Sequence, residues 1–243
     1  MRTVAIVQAR MGSSRLPGKV LADLAGASML ARVVERLRAA RTIDDVVIAT
    51  STLAGDDSVV REARRVGAGV HRGSECDVLE RYLDAAHAYD AEAIVRVTAD
   101  CPLLDSAVVD RVVQALGRDV DYASNTHERT YPRGLDVEAL HRDTLERIGR
   151  LGTSPAAREH VTAFVMQQPH LFCVRHVRAA TDDSDLRWTV DTVDDLIMVR
   201  GLYDAMVMPA PYERVVAAVR ARPELAAPNA HVAQKPWETP HVA

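Results

Sequence analysis

Apolar and polar positions alternate with two periods along the first half of the chain. Short runs of β-branched and apolar residues predict buried strands over 3–7, 46–49, 70–71 and 94–98. Between these runs, apolar residues recur at helical spacing over 29–40, 56–66, 78–89 and 106–116. Ser28 precedes the first helix as a predicted N-cap. Strands that alternate with helices of this length predict an α/β fold with a mostly parallel sheet covered on both faces.

The second half of the chain has a weaker pattern. It predicts strands over 120–123, 172–177 and 187–190, and helices over 142–150, 155–167 and 193–206. The stretch around 131–137 gives no clear period. Four prolines and Trp237 follow Arg222, so we predict a folded domain over 1–222 and a flexible tail over 223–243.

Length and charge narrow the class of protein. A chain of 243 residues fits one large α/β domain, and a net charge of −4 with both signs dispersed gives no basic stripe for nucleic acid. The three cysteines lack the spacing of a metal site, and no apolar run is long enough to span a membrane. We therefore expect a soluble cytoplasmic protein with reduced thiols, without nucleic-acid or membrane partners.

The loop after the first strand carries the densest candidate chemistry. Its sequence, QARMGSSRLPGK, runs from Gln8 to Lys19 and contains Arg10 and Arg15. Small residues let backbone N–H groups turn outward toward phosphate oxygens, and the cations would neutralise those oxygens. The loop matches neither the P-loop nor the GxGxxG pattern. A basic surface turn is the alternative, but a position directly after the first strand favours phosphate binding, because ligands of such sheets gather at the carboxyl ends of strands.

Two acidic residues also follow predicted strands. Asp100 comes after the strand over 94–98, and Asp191 after the strand over 187–190. Two carboxylates at one sheet edge would bind Mg²⁺ and leave coordination positions for water and phosphate oxygens. The alternatives are a turn residue before Pro102 for Asp100 and a helix N-cap for Asp191.

Several segments in order resemble one enzyme family. After the RLPGK loop these are Gly73-Ser74-Glu75, Thr98-Ala99-Asp100-Cys101-Pro102-Leu103, Tyr131-Pro132-Arg133-Gly134-Leu135-Asp136, Arg158-Glu159-His160-Val161-Thr162 and Arg187-Trp188-Thr189-Val190-Asp191. They resemble the cytidylyltransferase family of the spore-coat polysaccharide biosynthesis and CMP-KDO synthetase type. The similarity extends over roughly 3–203, nearly the whole predicted domain.

The resemblance implies a fold and a reaction. The fold would be a three-layer α/β/α, Rossmann-like and GT-A-like nucleotide-binding domain with a mixed, mostly parallel sheet. The reaction would transfer CMP from CTP to a small phosphorylated, phosphonate or acidic-sugar acceptor, with Mg²⁺ as cofactor and pyrophosphate as product. The cytosine preference rests on the resemblance alone, and the members of such families suggest a homodimer.

The resemblance also implies roles for individual residues. Catalysis would involve Arg15 and Lys19, which hold the triphosphate, together with Asp100 and Asp191, which coordinate Mg²⁺. The nucleotide would be contacted by Gln8, Ala9, Arg10, Gly12, Ser13, Ser14, Thr50, Ser74 and Arg96. The acceptor would be contacted by Tyr131, Arg133, Asp136, Arg158, Glu159 and His160, with His160 as a candidate base. The alternative for Tyr131, Arg133 and Asp136 is an ordinary tight turn. The alternative for Arg158, Glu159 and His160 is a triplet on a helix surface.

Two other functions compete with this one. A glycosyltransferase that uses a nucleotide-sugar has a similar fold and commonly an Asp-x-Asp motif, whereas this chain has Asp100-Cys101-Pro102. A nucleotide sensor without catalysis would have no need for the complete set of Arg15, Lys19, Asp100 and Asp191. Nucleotidyl transfer is therefore the leading hypothesis.

Overall fold

The computed structural model describes residues 1–234, and its centre is a seven-stranded sheet in the order β5-β4-β1-β6-β8-β7-β9. Its strands are β1 (Thr3–Gln8), β4 (Asp45–Ser51), β5 (Gly69–Gly73), β6 (Ala93–Thr98), β7 (Tyr122–Ser124), β8 (Glu138–His141) and β9 (Val174–His176). β8 runs antiparallel to both its neighbours, and the other pairs are parallel. A separate two-stranded hairpin consists of β2 (Asp23–Leu24) and β3 (Ala27–Ser28). The mixed, mostly parallel sheet confirms the predicted fold class.

Helices cover both faces of this sheet. Their bounds are α1 (Met29–Arg38), α2 (Asp57–Arg65), α3 (Val78–Ala88), α4 (Ser106–Ala115), α5 (Arg142–Leu151), α6 (Pro155–His160), α7 (Ala163–Gln167), α8 (Val193–Ala205) and α9 (Tyr212–Ala221). One apolar cluster joins the sheet to α1, α2, α4, α8 and α9. The other joins the opposite face to α3, α5 and α7. The described residues include no helix with the length and apolar character needed to cross a bilayer.

The second half of the chain departs from the sequence prediction at three places. β8 has no counterpart in the prediction, because its four residues follow a stretch without period. The predicted helix over 155–167 is broken by Val161, whose φ of +55° ends α6 before α7 begins. Residues 187–190 form no strand of the sheet: their backbone pairs with the loop at Arg133.

The start of the predicted tail is folded. Short 3₁₀ turns at Pro223–Leu225 and Ala227–Asn229 follow α9, and Asn229 is only 4% exposed. Asn229 is hydrogen-bonded into the main domain, and Leu225 and Ala226 pack against its apolar cluster. Trp237 and the rest of the predicted tail after Gln234 lie outside the described residues.

The carboxyl ends of β1, β4 and β6 meet at one edge of the sheet. β1 lies between the other two, and its Gln8 pairs with Ala49 of β4 and Thr98 of β6. The loop after β1 and the residues after β6 therefore start side by side, which is the position where ligands of open α/β sheets bind.

Candidate active site

Lys19 connects the two carboxylates that the sequence separates by ninety-one positions. Its Nζ donates to Asp100 Oδ2 at 2.6 Å, to Asp191 Oδ1 at 2.8 Å and to the carbonyl oxygen of Val190 at 2.8 Å. The Lys19 side chain is 11% exposed, against 21% for Asp100 and 14% for Asp191. The structure thus brings together the lysine and both acids that the sequence predicts to be catalytic.

Asp100 and Asp191 each have further partners besides Lys19. Thr98 Oγ1 donates to Asp100 Oδ1 at 2.5 Å, and the Asp100 carbonyl accepts from Val190 N–H at 2.9 Å. Asp191 Oδ2 lies 3.0 Å from Arg15 Nη2 and 2.9 Å from Arg187 Nη2. The backbone bond between Asp100 and Val190 joins the segment after β6 to the segment that carries Asp191.

Asp191 does not cap α8. The N-cap is Thr192, whose hydroxyl accepts from Asp195 N–H while the Asp195 carboxylate accepts from Thr192 N–H, a capping box. The Asp191 side chain is instead turned to Lys19, Arg15 and Arg187. The helix-cap alternative for this residue is thereby excluded.

The loop after β1 is shaped by one backbone hydrogen bond and by two hydrogen bonds to the Asp56 carboxylate. Gly18 adopts a φ of +71° and donates its N–H to the Met11 carbonyl at 2.9 Å, which closes the turn that precedes Lys19. Met11 N–H donates to Asp56 Oδ1 at 2.7 Å, and Ser51 at the end of β4 donates through its hydroxyl to Asp56 Oδ2. Asp56, which is 4% exposed, therefore ties the loop to β4. Sequence reasoning missed this role, because a carboxylate at a helix start looks like an ordinary cap.

The charges of this cluster determine its protonation states. Burial alone would lower the pKa of Lys19, but the adjacent Asp100 and Asp191 outweigh burial and raise that pKa above its ordinary value. Burial alone would raise the pKa of Asp100, but Lys19 and the Thr98 hydroxyl lower it below its ordinary value. Lysine and carboxylate are both ionised at neutral pH, so the site offers fixed charges of both signs.

The predicted nucleotide-side residues lie around the same edge. Gln8 Oε1 accepts from Arg96 Nη2 at 3.2 Å, and Arg10 Nη1 is 3.7 Å from Glu75 Oε1. Ala9 is buried and Thr50 is buried at the end of β4, its hydroxyl without a hydrogen-bond partner among the described atoms. The other members are on the surface of their loops: Gly12, Ser13, Ser14 and Ser74.

Arg96 belongs to a buried polar row that the sequence did not reveal. Its Nη1 donates to Glu138 Oε2, and Glu138 Oε1 accepts from the hydroxyls of Tyr122 and Thr162. Tyr122 also contacts His127 Nε2 at 2.9 Å. The row crosses β6, β8 and β7, and it was hidden because β8 was not predicted.

The acceptor-side predictions separate into two groups. Arg133 is half-buried, and its backbone bonds to Leu186, Trp188 and Thr189 set it beside the segment that carries Asp191. Asp136 forms a two-point ion pair with Arg129 at 2.5 and 3.1 Å. Tyr131 is fully buried, with its hydroxyl accepting from Arg111, so it has a packing role.

The remaining acceptor-side predictions lie on α6. Arg158 donates to Asp77 and Glu80 of α3, the latter at 2.8 Å, and thereby joins two helices. Glu159 and His160 are the last residues of α6, directly before the break at Val161. None of the three is linked to the Lys19 cluster by a described bond, and their acceptor role stays a prediction.

The two carboxylates suit a small divalent cation. Both contact a single ammonium, so one cation of similar position could reach an oxygen of each. Within residues 1–234 no set of three or more His, Cys, Asp and Glu side chains is arranged to hold a metal. Mg²⁺ commonly binds through one or two carboxylates and substrate phosphates, which matches this sparse donor set.

Cys101 lies beside this pair but is unsuited to nucleophilic attack. Burial and the neighbouring Asp100 raise the pKa of its thiol well above the ordinary value, so the thiol stays protonated.

Comparison with known proteins gives the same family by three routes. The matching family model is described as Cytidylyltransferase and covers residues 4–186. The spore coat polysaccharide biosynthesis protein SpsF of Bacillus subtilis (strain 168) is 34% identical over 208 residues, which are 82% of this chain and 85% of that protein. The 3-deoxy-manno-octulosonate cytidylyltransferase of Anaeromyxobacter dehalogenans (strain 2CP-1) is 31% identical, over 84% of this chain and 99% of that protein.

A solved structure extends the likeness to the fold. A cytidylyltransferase from Leptospira borgpetersenii serovar Hardjo-bovis superposes with a TM-score of 0.90 at 31% identity, covering 93% of this chain and 97% of that chain. Nearly all of the sheet, the RLPGK loop and Asp100 lie within residues 4–186, which the family model matches, and Asp191 follows shortly after them. The chain belongs to the cytidylyltransferase family and is a nucleotidyltransferase.

Proposed function

We propose that the chain transfers CMP from CTP to a small acidic-sugar acceptor and releases pyrophosphate in an Mg²⁺-dependent reaction. The observation that carries this proposal is the contact of Lys19 with both Asp100 and Asp191 at the carboxyl edge of the sheet. A triphosphate and a metal need those charges in one place. The acidic-sugar class is supported by the relative that is named for 3-deoxy-manno-octulosonate.

The triphosphate would be bound by the loop after β1. Lys19 would move from the carboxylates to a phosphate oxygen when the nucleotide enters, because its ammonium cannot stay beside an arriving divalent cation. Arg15, 37% exposed and 3.0 Å from Asp191, would grip a second phosphate group. Arg10 at the start of the loop has only a 3.7 Å ion pair and lies in position to join them.

Asp100 and Asp191 would hold Mg²⁺. When bound, Mg²⁺ supplies charge neutralisation on the α-phosphoryl oxygens and the leaving pyrophosphate. The acceptor oxygen would attack the α-phosphorus in line, forming one P–O bond while the bond to pyrophosphate breaks. The residues of the chain contribute positioning and fixed charge.

The acceptor would bind beside Arg133, on the side of the Lys19 cluster that residues from the second half of the chain form. Arg133 has no described hydrogen bond from its guanidinium, and its backbone is fixed to the segment that leads to Asp191. A half-buried cation beside the metal site suits an acceptor carboxylate. Glu138 and Tyr122 of the polar row are buried and bonded to each other, so they would hold Arg96 in place and would not contact the acceptor.

Calorimetric titration with nucleotides tests the first half of this proposal. CTP with Mg²⁺ should bind more tightly than UTP, GTP or ATP, and Asp100→Asn should retain the fold while CTP binding loses its dependence on Mg²⁺. Equal affinity for all four nucleotides, or undiminished Mg²⁺ dependence in the variant, would overturn the cytidine preference or the metal assignment respectively.

A further inference from the structure

The folded start of the C-terminal region reaches back to the active site through one side chain. Asn229 Nδ2 donates to Asp195 Oδ1 at 2.9 Å and to the Arg187 carbonyl at 3.0 Å. Both hydrogens of the amide are therefore used, and the residue is 4% exposed. Because a buried polar side chain must be hydrogen-bonded, these two acceptors fix the position of the Asn229 amide.

Asp195 is the centre of this contact. It has no exposed surface, and its Oδ1 also accepts from Arg187 Nε at 2.8 Å. Its Oδ2 accepts from the backbone N–H groups of Asp191 at 2.9 Å and Thr192 at 3.0 Å. The carboxylate is buried and bonded on both oxygens.

Arg187 carries the connection to the catalytic carboxylate. Its Nη2 is shared between Asp195 Oδ2 at 3.2 Å and Asp191 Oδ2 at 2.9 Å. Its Nη1 donates to Gln234 Oε1 at 2.6 Å. One guanidinium thus joins the C-terminal region, the buried anion and the carboxylate that faces Lys19.

We propose that Asn229 is a positioning residue for Asp191, acting through Asp195 and Arg187. The inference rests on the proposed role of Asp191 as a ligand of the metal with CTP. The amide of Asn229 donates one of the hydrogen bonds that the Asp195 carboxylate needs, so the guanidinium of Arg187 can be shared with Asp191. Without the amide, Arg187 is drawn more fully to Asp195, and Asp191 loses one of the contacts that aim it at the metal.

The test measures Mn²⁺ bound by the full-length chain in the presence of CTP, by electron paramagnetic resonance. Asn229→Ala should weaken Mn²⁺ binding by about threefold to tenfold, less than the loss typical when a residue in direct contact with a ligand is changed. Asn229→Ser, which keeps one hydroxyl donor, should give an intermediate value and serves if the alanine variant folds poorly. Turnover of either variant should recover at high Mn²⁺ concentration.

Leu225→Ala is the matched control. Leu225 belongs to the same region and packs against the main apolar cluster, without a described bond to the Asp195 group. It should lower the melting temperature while Mn²⁺ affinity stays at the wild-type value. The proposal would be overturned if Asn229→Ala and Leu225→Ala lowered the melting temperature equally and also weakened Mn²⁺ binding equally. Asn229 would then act only through stability.

The wild-type chain separates this inference from the function on which it rests. A wild-type chain that binds Mn²⁺ with CTP, together with Asn229→Ala and Asn229→Ser variants of unchanged affinity, would contradict the positioning role alone. A wild-type chain that binds no Mn²⁺ with CTP would contradict the proposed function, and the positioning role with it.

Discussion

A single ammonium group dominates the site at the residue scale. Lys19 lies between two carboxylates that a divalent cation would also need. Like charges at such distances repel by about 4 kcal/mol at the effective dielectric constant of a protein surface. Under the proposed function, Lys19 would oppose metal binding without nucleotide, and the triphosphate would remove that opposition by giving the ammonium another partner.

Replacement of Lys19 tests this competition directly. Lys19→Met should bind Mn²⁺ without CTP at least about tenfold more tightly than the wild type, because the competing charge is gone. Turnover should fall sharply at the same time. Lys19→Arg keeps the charge and should gain no Mn²⁺ affinity without CTP. An unchanged Mn²⁺ affinity in the methionine variant, measured by electron paramagnetic resonance, would refute the competition.

Arg133 should distinguish the acceptor from the nucleotide. Arg133→Gln should raise KM for an acidic acceptor by about tenfold or more, since a charge-assisted bond to a carboxylate is lost. KM for CTP should remain within about twofold. Initial-rate kinetics with one substrate varied at a time measure both constants, and a rise confined to CTP would move Arg133 to the nucleotide side.

Individual residues were predictable where their chemistry is local. Lys19 and Asp100 lie in the segments after β1 and β6, and these parallel strands share an edge, so the convergence of the two residues follows from sequence order. Asp191 reaches the site through the segment that pairs with the loop at Arg133, and not through a strand of the sheet. Asp195 is the acidic residue of the capping box that starts α8, which is a local pattern. Its bonds to Arg187 and Asn229 could not be predicted, because they depend on how a C-terminal region without apolar pattern folds back.

At the element scale, the segment over 186–191 is held by backbone contacts with a loop and not by the sheet. It pairs with the loop at Arg133, where Gly134 has a φ of +106°. A Cβ at Gly134 would lie 2.5 Å from Thr189 N and 2.6 Å from Trp188 C, and both are backbone atoms. The close approach of two backbones accounts for the glycine.

Gly134→Ala should therefore damage both stability and catalysis. We expect a loss of about 2 kcal/mol or more in the free energy of unfolding, from strain at positive φ and from the clash. Turnover should fall as well, because the displaced segment carries Asp191. Denaturant unfolding and pyrophosphate release measure the two effects.

Gly201→Ala is the control for this variant. Gly201 lies within α8, and a Cβ there would meet nothing within 4 Å. It should stabilise the chain by about 0.5–1 kcal/mol through helix propensity and leave turnover unchanged. A Gly134→Ala chain as stable and active as the wild type would show that the segment tolerates a shift.

Long helices and strands with a clear hydrophobic period were predictable from the sequence, and short ones without a period were not. The four helices α1 to α4 lie within a few residues of the predicted ranges, since each buries a long apolar face. β8 has four residues, and the break at Val161 depends on a single backbone angle. Neither leaves a periodic signal, so both were missed.

At the scale of the whole molecule, a buried anion links the C-terminal region to acid stability. The pKa of Asp195 falls from 3.8 to about 2 on folding. A depressed folded pKa contributes stability that is fully present above the unfolded value and is lost as pH falls through the folded value. The contribution is about 2 kcal/mol above pH 3.8 and declines toward pH 2.

Asp195→Asn isolates this contribution. The wild type should be more stable than the variant at neutral pH by about 2 kcal/mol, with the difference shrinking between about pH 4 and pH 2. Urea unfolding of both chains across this range gives the difference, in which groups common to both cancel. A difference that is constant with pH would contradict the assigned charge.

The overall architecture was predictable because strand and helix periods alternate in order, and that order leaves few topologies. The order of strands in the sheet determines which residues come together at the site. The parallel strands β1, β4 and β6 place the loop that carries Lys19 beside Asp100, and the antiparallel β8 brings Glu138 to Arg96. Dimer formation and a cytoplasmic location stay predictions.

Pyrophosphate release tests the central claim most directly. The full-length chain is assayed with Mg²⁺ and each of CTP, UTP, GTP and ATP against acidic sugars, phosphosugars, polyol phosphates and phosphonates, with Asp100→Asn as the inactive control. The account predicts release that requires CTP, Mg²⁺ and an acidic sugar together. Release with none of the nucleotide and acceptor pairs, while a nucleotide-sugar alone stabilises the chain, would contradict it.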